Sequence, residues 1–313
     1  MITYWQIVKN GLLPLQTYIK GAVINAVSPS TEELNILKNT FKIDEDFLND
    51  IMDVDERSRM EVDNGNLYLI YRIPVYSATS SLPFSTMPLG VMLSDEALIV
   101  IGYQHNDVLA EVFAKNIKKQ VDYENKIEFL FHIIDYSTIS YLKFLKQINS
   151  ETNKIEQALE KSTKNEELHK LLLMEKCLVY FNTSLRSNEI LLSKLRNSRY
   201  FKKNEVDEEL VEDVIIEIKQ AIEMTRVYSD INSGMMDAFA SVISNNLNMV
   251  LKQLTIVTII LMIPTLVASF FGMNVKLPFG TGQETPVAFI GVLVISVVLS
   301  IAGVMLLRRR KWL

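Results

Sequence analysis

The sequence predicts a mixed α/β (α+β) soluble domain, joined through a long helical stalk to two membrane-spanning helices. Three observations carry this expectation. Short apolar runs separated by turn signals fill the chain up to about residue 125, helical periodicity without a strong break follows, and two charge-free apolar runs close the sequence.

Within residues 1–125, Gly21 to Val27 reads as a strand. Ser30-Thr31-Glu32-Glu33 has the pattern of a capping box and starts a helix running to about Asn39. Met60 to Val62 and Leu67 to Tyr76 flank Asp63-Asn64-Gly65-Asn66. That is a strong hairpin signal, because Asn and Gly tolerate the positive φ of a tight turn. Gly90 to Met92 and Ala97 to Gly102 read as a further hairpin through Ser94-Asp95.

Residues 126–203 are expected to form an antiparallel pair of amphipathic helices, near 126–161 and 165–200, parted by Ser162-Thr163-Lys164-Asn165. A third helix begins near Asp207 and meets no Pro before the apolar region. Residues 204–274 therefore read as one stalk helix that becomes the first span at about 253–273.

Gln253 to Asn274 and Pro286 to Leu307 contain no charged residue. Each matches the roughly 20 residues that cross a hydrocarbon core. The second span covers 286–307, and residues 275–285 form a short loop with Pro278, Gly280 and Gly282. Residues 308–313 form a basic tail, Arg308-Arg309-Arg310-Lys311-Trp312-Leu313. Clustered Arg and Lys stay on the cytosolic side, so the C-terminus is expected inside. Two crossings then put the N-terminal part inside and the loop outside, in the cell membrane. Met1-Ile-Thr-Tyr-Trp-Gln shows no basic stretch followed by an apolar core, so no signal peptide is expected.

From Lys252 onward six basic residues face one acid, Glu284, which gives that tail +5; with −5 overall, residues 1–251 carry −10. An acidic domain repels nucleic acid and attracts cations, so cations and not nucleic acid are the expected partners. The single cysteine, Cys177, excludes an internal disulfide framework and reads as an apolar packing residue. His105, His132 and His169 lie far apart, and no phosphate-binding Gly loop or nucleophile motif is present. No catalysis is expected.

Alternating strides of four and three from Asp237 meet Ser241, Ser244, Asn248, Leu251, Thr255, Thr258, Met262, Thr265, Ser269 and Gly272. Such spacing keeps them on one helix face. The other faces carry Ile256, Ile259, Ile260, Ile263, Leu266, Val267 and Phe270. Lipid offers a hydroxyl nothing, so the polar stripe faces protein or water. A tight helix–helix seam is one reading, since small residues let backbones approach. A wet axis is the other, and it requires several copies because two helices cannot enclose a path. The carboxylate at one end of the stripe, well below the membrane, favours the wet axis. Leu251 and Met262, with Leu254, would then close the path by dewetting, and Pro264 is a candidate bend beside Met262.

Directly after this helix stands Phe270-Phe271-Gly272-Met273-Asn274, followed by a short loop, a second span and the tail ending Lys311-Trp312-Leu313. In this arrangement the chain resembles, along its whole length, the CorA family of divalent-cation channels. The resemblance implies a funnel-shaped homopentamer in the lipid bilayer that transports Mg²⁺, with Co²⁺ or Ni²⁺ as further cargo. It implies a selectivity filter of Gly272, Met273 and Asn274, the Asn274 amide oxygens meeting the ion. It also implies a pore lined by Asp237, Ser244, Asn248, Thr255, Thr258, Thr265 and Ser269, with Leu251, Leu254 and Met262 as the hydrophobic gate. Family members are closed by cytosolic Mg²⁺ bridging subunits, and Asp213 falls at the position of one regulatory carboxylate. The usual partner position is Ser77 here, and the outer loop reads Val275-Lys276-Leu277-Pro278-Phe279 where many Mg²⁺-type members are acidic. Zinc-transporting relatives share fold and tripeptide, which leaves Zn²⁺ as an alternative cargo. A membrane-anchored cation sensor or scaffold that conducts nothing is the second alternative.

Overall fold

The computed structural model describes the whole chain except residues 9–10, 117–124, 162–164, 204–205, 274–285 and 310–313. It divides into two compact units, Met1–Met236 and Asp237–Leu313.

The first unit is built on a seven-stranded sheet. Its strands are β1 (Ile2–Val8), β2 (Gly11–Leu15), β3 (Val23–Val27), β4 (Arg59–Asp63), β5 (Asn66–Tyr76), β6 (Phe84–Leu93) and β7 (Leu98–Gly102). They lie in the order β2-β1-β3-β7-β6-β5-β4, with only β3 and β7 parallel. The β4–β5 hairpin turns at Asn64 and Gly65, whose φ values of 48° and 83° are the two successive positive angles of a type I′ turn. β5 and β6 are buried along nearly their whole length, because helices cover both faces of the sheet.

One face is closed by α1 (Thr31–Phe41) and α2 (Glu45–Met52). Leu37, Phe41, Phe47 and Ile51 from these helices share a core with Ile24, Ile70 and Ile99 from the strands. The Ser30 hydroxyl accepts from the Glu33 amide at 3.2 Å while the Glu33 carboxylate accepts from the Ser30 amide at 2.9 Å, so the expected capping box is formed. A side chain at Gly90 would overlap Ile51, which is why α2 can lie directly on β6.

The other face takes α3 (Asp107–Asn116), α4 (Lys126–Lys161) and α5 (Asn165–Arg196). Beyond the end of β4, the Asn188 side chain serves the exposed backbone of β5 as a neighbouring strand would. Its Oδ1 accepts from the Arg72 amide at 3.0 Å and its Nδ2 donates to the Arg72 carbonyl at 2.7 Å. The Arg72 guanidinium is itself buried and donates to the Thr86, Val54 and Glu56 carbonyls and to the Thr86 and Ser184 hydroxyls. Burial lowers its pKa.

The 64-residue α7 (Glu208–Phe271) follows α6 (Arg199–Lys203). In the first unit it buries Val211, Val214, Ile218, Ala221, Thr225 and Asn232, a spacing of three and four that forms one stripe. Asn232 donates to the Leu171 carbonyl and the Glu175 carboxylate, tying this stripe to α5.

The sequence reading requires corrections here. The second long helix stops at Arg196 rather than near 200, and the Ser198 amide bonds the Leu195 carbonyl to close it. The β1–β2 hairpin, α2 and α3 were not expected, and the strand expected at Gly90 to Met92 extends from Phe84 to Leu93. Cys177 is buried, as its packing role requires, and burial pushes its thiol up to about 11.

Candidate ion pathway and acidic cluster

The second unit contains the outer part of α7 and α8 (Pro286–Arg309). The apolar stretch of α7 and Phe289–Arg309 of α8 are each long and apolar enough to cross a membrane. Only 11 % and 6 % of their apolar windows is buried, unlike the core helix of a soluble protein.

Burial within this unit identifies the face of α7 that meets α8. Ile256 and Val267 are buried and Ile260 and Ile263 half-buried, spaced four, three and four along α7. On α8, Ser296 is buried and Ser300 and Gly303 half-buried. Their hydroxyls bond back to the Val292 and Ser296 carbonyls, which lets Ser296 and Ser300 sit in a dry seam. A Cβ built on Gly303 would stand 3.0 Å from Ile263 Cδ1.

The polar stripe lies on the opposite side. Asp237, Ser244, Asn248, Leu251, Leu254, Thr255, Thr258, Met262, Thr265 and Ser269 are all exposed. At ~100° per residue, Thr258, Met262, Thr265 and Ser269 stand roughly 150° around the helix from the α8 seam. α7 runs unbroken through Pro264, the candidate bend.

Each threonine hydroxyl in the stripe donates to the carbonyl four residues earlier. The bonds run from Thr255 to Leu251 (2.8 Å), Thr258 to Leu254 (2.8 Å) and Thr265 to Leu261 (2.9 Å). The donor is therefore used internally, and each Oγ1 shows its lone pairs outward. Such oxygens can accept hydrogen bonds from water.

At the C-terminal end of α7, the Gly272 amide bonds the Ala268 carbonyl at 2.9 Å and Met273 is exposed. Asn274, the residue expected to meet the ion, lies outside the described residues.

The first unit holds a second feature, which sequence reading found only in part. Asp213, exposed on α7, sits beside Glu217 one turn later and Asp135 on α4. Burial, then Glu217 and Asp213, push the Asp135 carboxyl up to about 6. Burial, then Asp213, also raise Glu217, and the Glu217 Oε2 is shut from solvent without a hydrogen-bond partner. Like charges gathered in this way disfavour one another's ionisation, and a cation would relieve them. Among the described residues, no three His, Cys, Asp or Glu side chains of one chain are set to hold a metal ion. Ser77, at the position that the family resemblance gives to the regulatory partner, is exposed just past β5 and contacts the Thr79 hydroxyl.

A family profile, the CorA-like Mg²⁺ transporter protein, matches residues 24–309. The chain belongs to this family. The cobalt/magnesium transport protein CorA of Methanocaldococcus jannaschii is 28 % identical over 297 residues, 93 % of this chain and 90 % of that one. The protein of the same name from Thermotoga maritima is 24 % identical over 281 residues, 85 % of this chain and 76 % of that one. Among solved structures, the complete CorA magnesium transporter from M. jannaschii superposes with a TM-score of 0.81 at 25 % identity, covering 100 % of this chain and 99 % of that one. The likeness thus takes in the sheet domain, the long helices and both apolar spans of this CorA-family chain.

Proposed function

We propose that this CorA-family chain conducts divalent cations, Mg²⁺ first among them, along an axis shared by several copies and lined by the polar face of α7. The carrying observation is the division of α7 into two faces. Its isoleucine face is covered by α8 within the chain, while its oxygen-bearing face is left uncovered. The names of the relatives, which speak of cobalt and magnesium transport, support the same cargo.

The assembly is a homopentamer in the cell membrane, with both termini on the cytoplasmic side. Mg²⁺ sheds water reluctantly, so a path that carries it must hold the hydrated ion by weak, replaceable contacts. Neutral oxygens do this. Asn274 at the outer mouth with Gly272 and Met273, then Ser269, Thr265, Thr258, Thr255, Asn248 and Ser244, offer acceptors to the ion's own water donors. Asp237 concentrates cations at the inner mouth. Leu251, Leu254 and Met262 have no such acceptors, so the path at these rings closes when it dries.

Asp213, with Asp135 and Glu217, supplies the cytosolic regulatory site, where bound Mg²⁺ offsets the mutual repulsion of the three carboxylates. The missing ligands come from a neighbouring copy, because one chain alone does not surround an ion.

The test is uptake of Mg²⁺, Co²⁺, Ni²⁺ and Zn²⁺ into liposomes holding the purified protein, with and without a proton gradient. Mg²⁺ uptake without a proton gradient is expected. Zn²⁺ uptake alone would transfer the reading to a zinc transporter, and no flux of any cation would leave a sensor or scaffold.

A further inference from the structure

At one end of the sheet a cleft of about 680 Å³ opens between the β4–β5 and β6–β7 turns, the start of α4 and α6. Among the described residues two cations line it, Lys126 and Arg199, against one acid, Asp95. Lys126 is half-buried and spends its ammonium on carbonyls, donating to Ser94 O at 2.7 Å and Asp95 O at 3.1 Å. Burial lowers its pKa, with the Asp95 carboxylate opposing the shift and the Lys20 ammonium adding to it. Arg199 lies over the Tyr200 ring, 5.1 Å from its centroid, and that ring is pinned by a 2.7 Å bond from its hydroxyl to the Gly65 carbonyl. Among the described residues neither cation has a carboxylate at ion-pair distance. Among the described residues two cations thus face one carboxylate, Asp95, across a cleft in a part of the chain that is acidic overall.

We propose that this cleft binds a small organic phosphate of nucleotide size, its phosphates between Lys126 and Arg199 and its organic part along Tyr200. The argument rests on charge, shape and volume together. A planar guanidinium held by stacking presents a fixed fork suited to phosphate oxygens, and a half-buried ammonium with no carboxylate at ion-pair distance among the described residues gains from an anion. The cleft falls within the about 300–1,000 Å³ usual for small-molecule sites, so inorganic phosphate would leave most of it empty. Tyr200, Ile7, Leu93 and Ile127 give the remaining wall an aromatic and apolar character. The site stands apart from the conduction face, and binding here is read without any measurement of flux.

The experiment is equilibrium dialysis of labelled ATP against the full-length protein in detergent. EDTA is present, so that ATP does not register through bound Mg²⁺. Saturable binding in the millimolar range or tighter is expected, displaced by pyrophosphate but not by adenosine. Arg199→Ser, at an exposed position, should weaken it about ten-fold or more, and Lys126→Gln should do the same. Thermal unfolding checks that each variant is folded. Absence of saturable binding would overturn the proposal, as would equal binding by wild type and both variants, or displacement by adenosine alone.

Discussion

Ile263 Cδ1 reaches to within 3.0 Å of the point where a side chain on Gly303 would begin. This contact fixes which face of α7 lies against α8, and so which face remains for other copies. The atom that must yield is the tip of a flexible side chain. Gly303→Ala should therefore be tolerated, with little change in the melting temperature of the detergent-solubilised protein. Gly303→Leu overfills the seam and should cost about 1–3 kcal/mol. An unchanged melting temperature in Gly303→Leu would show that the helices do not pack at this point.

Thr258→Val and Thr265→Val keep the shape of each side chain and remove the outward lone pairs. Mg²⁺ uptake should fall about ten-fold or more in each, with assembly intact by size-exclusion chromatography. Undiminished uptake in both would deny these oxygens a part in conduction.

Met262→Ala removes an apolar collar from a face otherwise rich in oxygen. Conductance in the closed condition should rise, since a wider and less apolar ring dries less readily. An unaltered closed-state leak would take Met262 out of the gate. Asn274→Ala should abolish selective uptake while leaving assembly intact, and unchanged Mg²⁺ uptake would reject the filter assignment.

The acidic cluster makes stability depend on pH in a direction that can be worked out. The Asp135 carboxyl is raised from 3.8 to about 6 in the folded chain. Between those values the unfolded chain has released a proton that the folded chain still holds. Stability therefore falls as pH rises through that window, and the penalty is fully present above about pH 6. Its upper limit is about 3 kcal/mol before solvent screening reduces it. Asp135→Asn in EDTA should melt higher than wild type at neutral pH and equally at low pH. Added Mg²⁺ should raise the melting temperature of wild type more than that of Asp135→Asn. A flat pH profile in wild type would count against the cluster.

The parts of the fold legible in the sequence are those fixed by local chemistry. The Asn64-Gly65 turn, the Ser30–Glu33 capping box and the two charge-free spans each depend on residues within a few positions of one another. The 3–4 stripe from Asp237 to Gly272 was legible for the same reason, because a single helix sets its own faces. What escaped depends on distant partners. β2 begins at Gly11 and carries Pro14, residues that local rules disfavour in strands, and its place depends on β1, which in turn pairs with the distant β3. Asp135 and Glu217 were not singled out in the sequence, since nothing local says that α4 and α7 bring them beside Asp213.

Asn188 gives a last test of the soluble fold. Asn188→Leu would leave the buried Arg72 amide without its partner, while the Arg72 carbonyl keeps the Tyr141 hydroxyl and the Ser58 hydroxyl keeps Ser187. A loss of about 1–3 kcal/mol is expected, read as a melting temperature lower by several degrees. A smaller loss than that of an exposed control such as Asn197→Leu would show that water replaces the amide at no cost.

The most direct test of the conduction face is accessibility along α7 to a hydrophilic thiol reagent. Cys177 is buried and its thiol raised to about 11, so the native chain provides a quiet background. Cysteines placed at Thr258 and Thr265 should react and be protected by Mg²⁺, while cysteines at Ile256 and Val267, in the α8 seam, should not. Inert cysteines at both threonine positions in a protein that still transports would contradict the account.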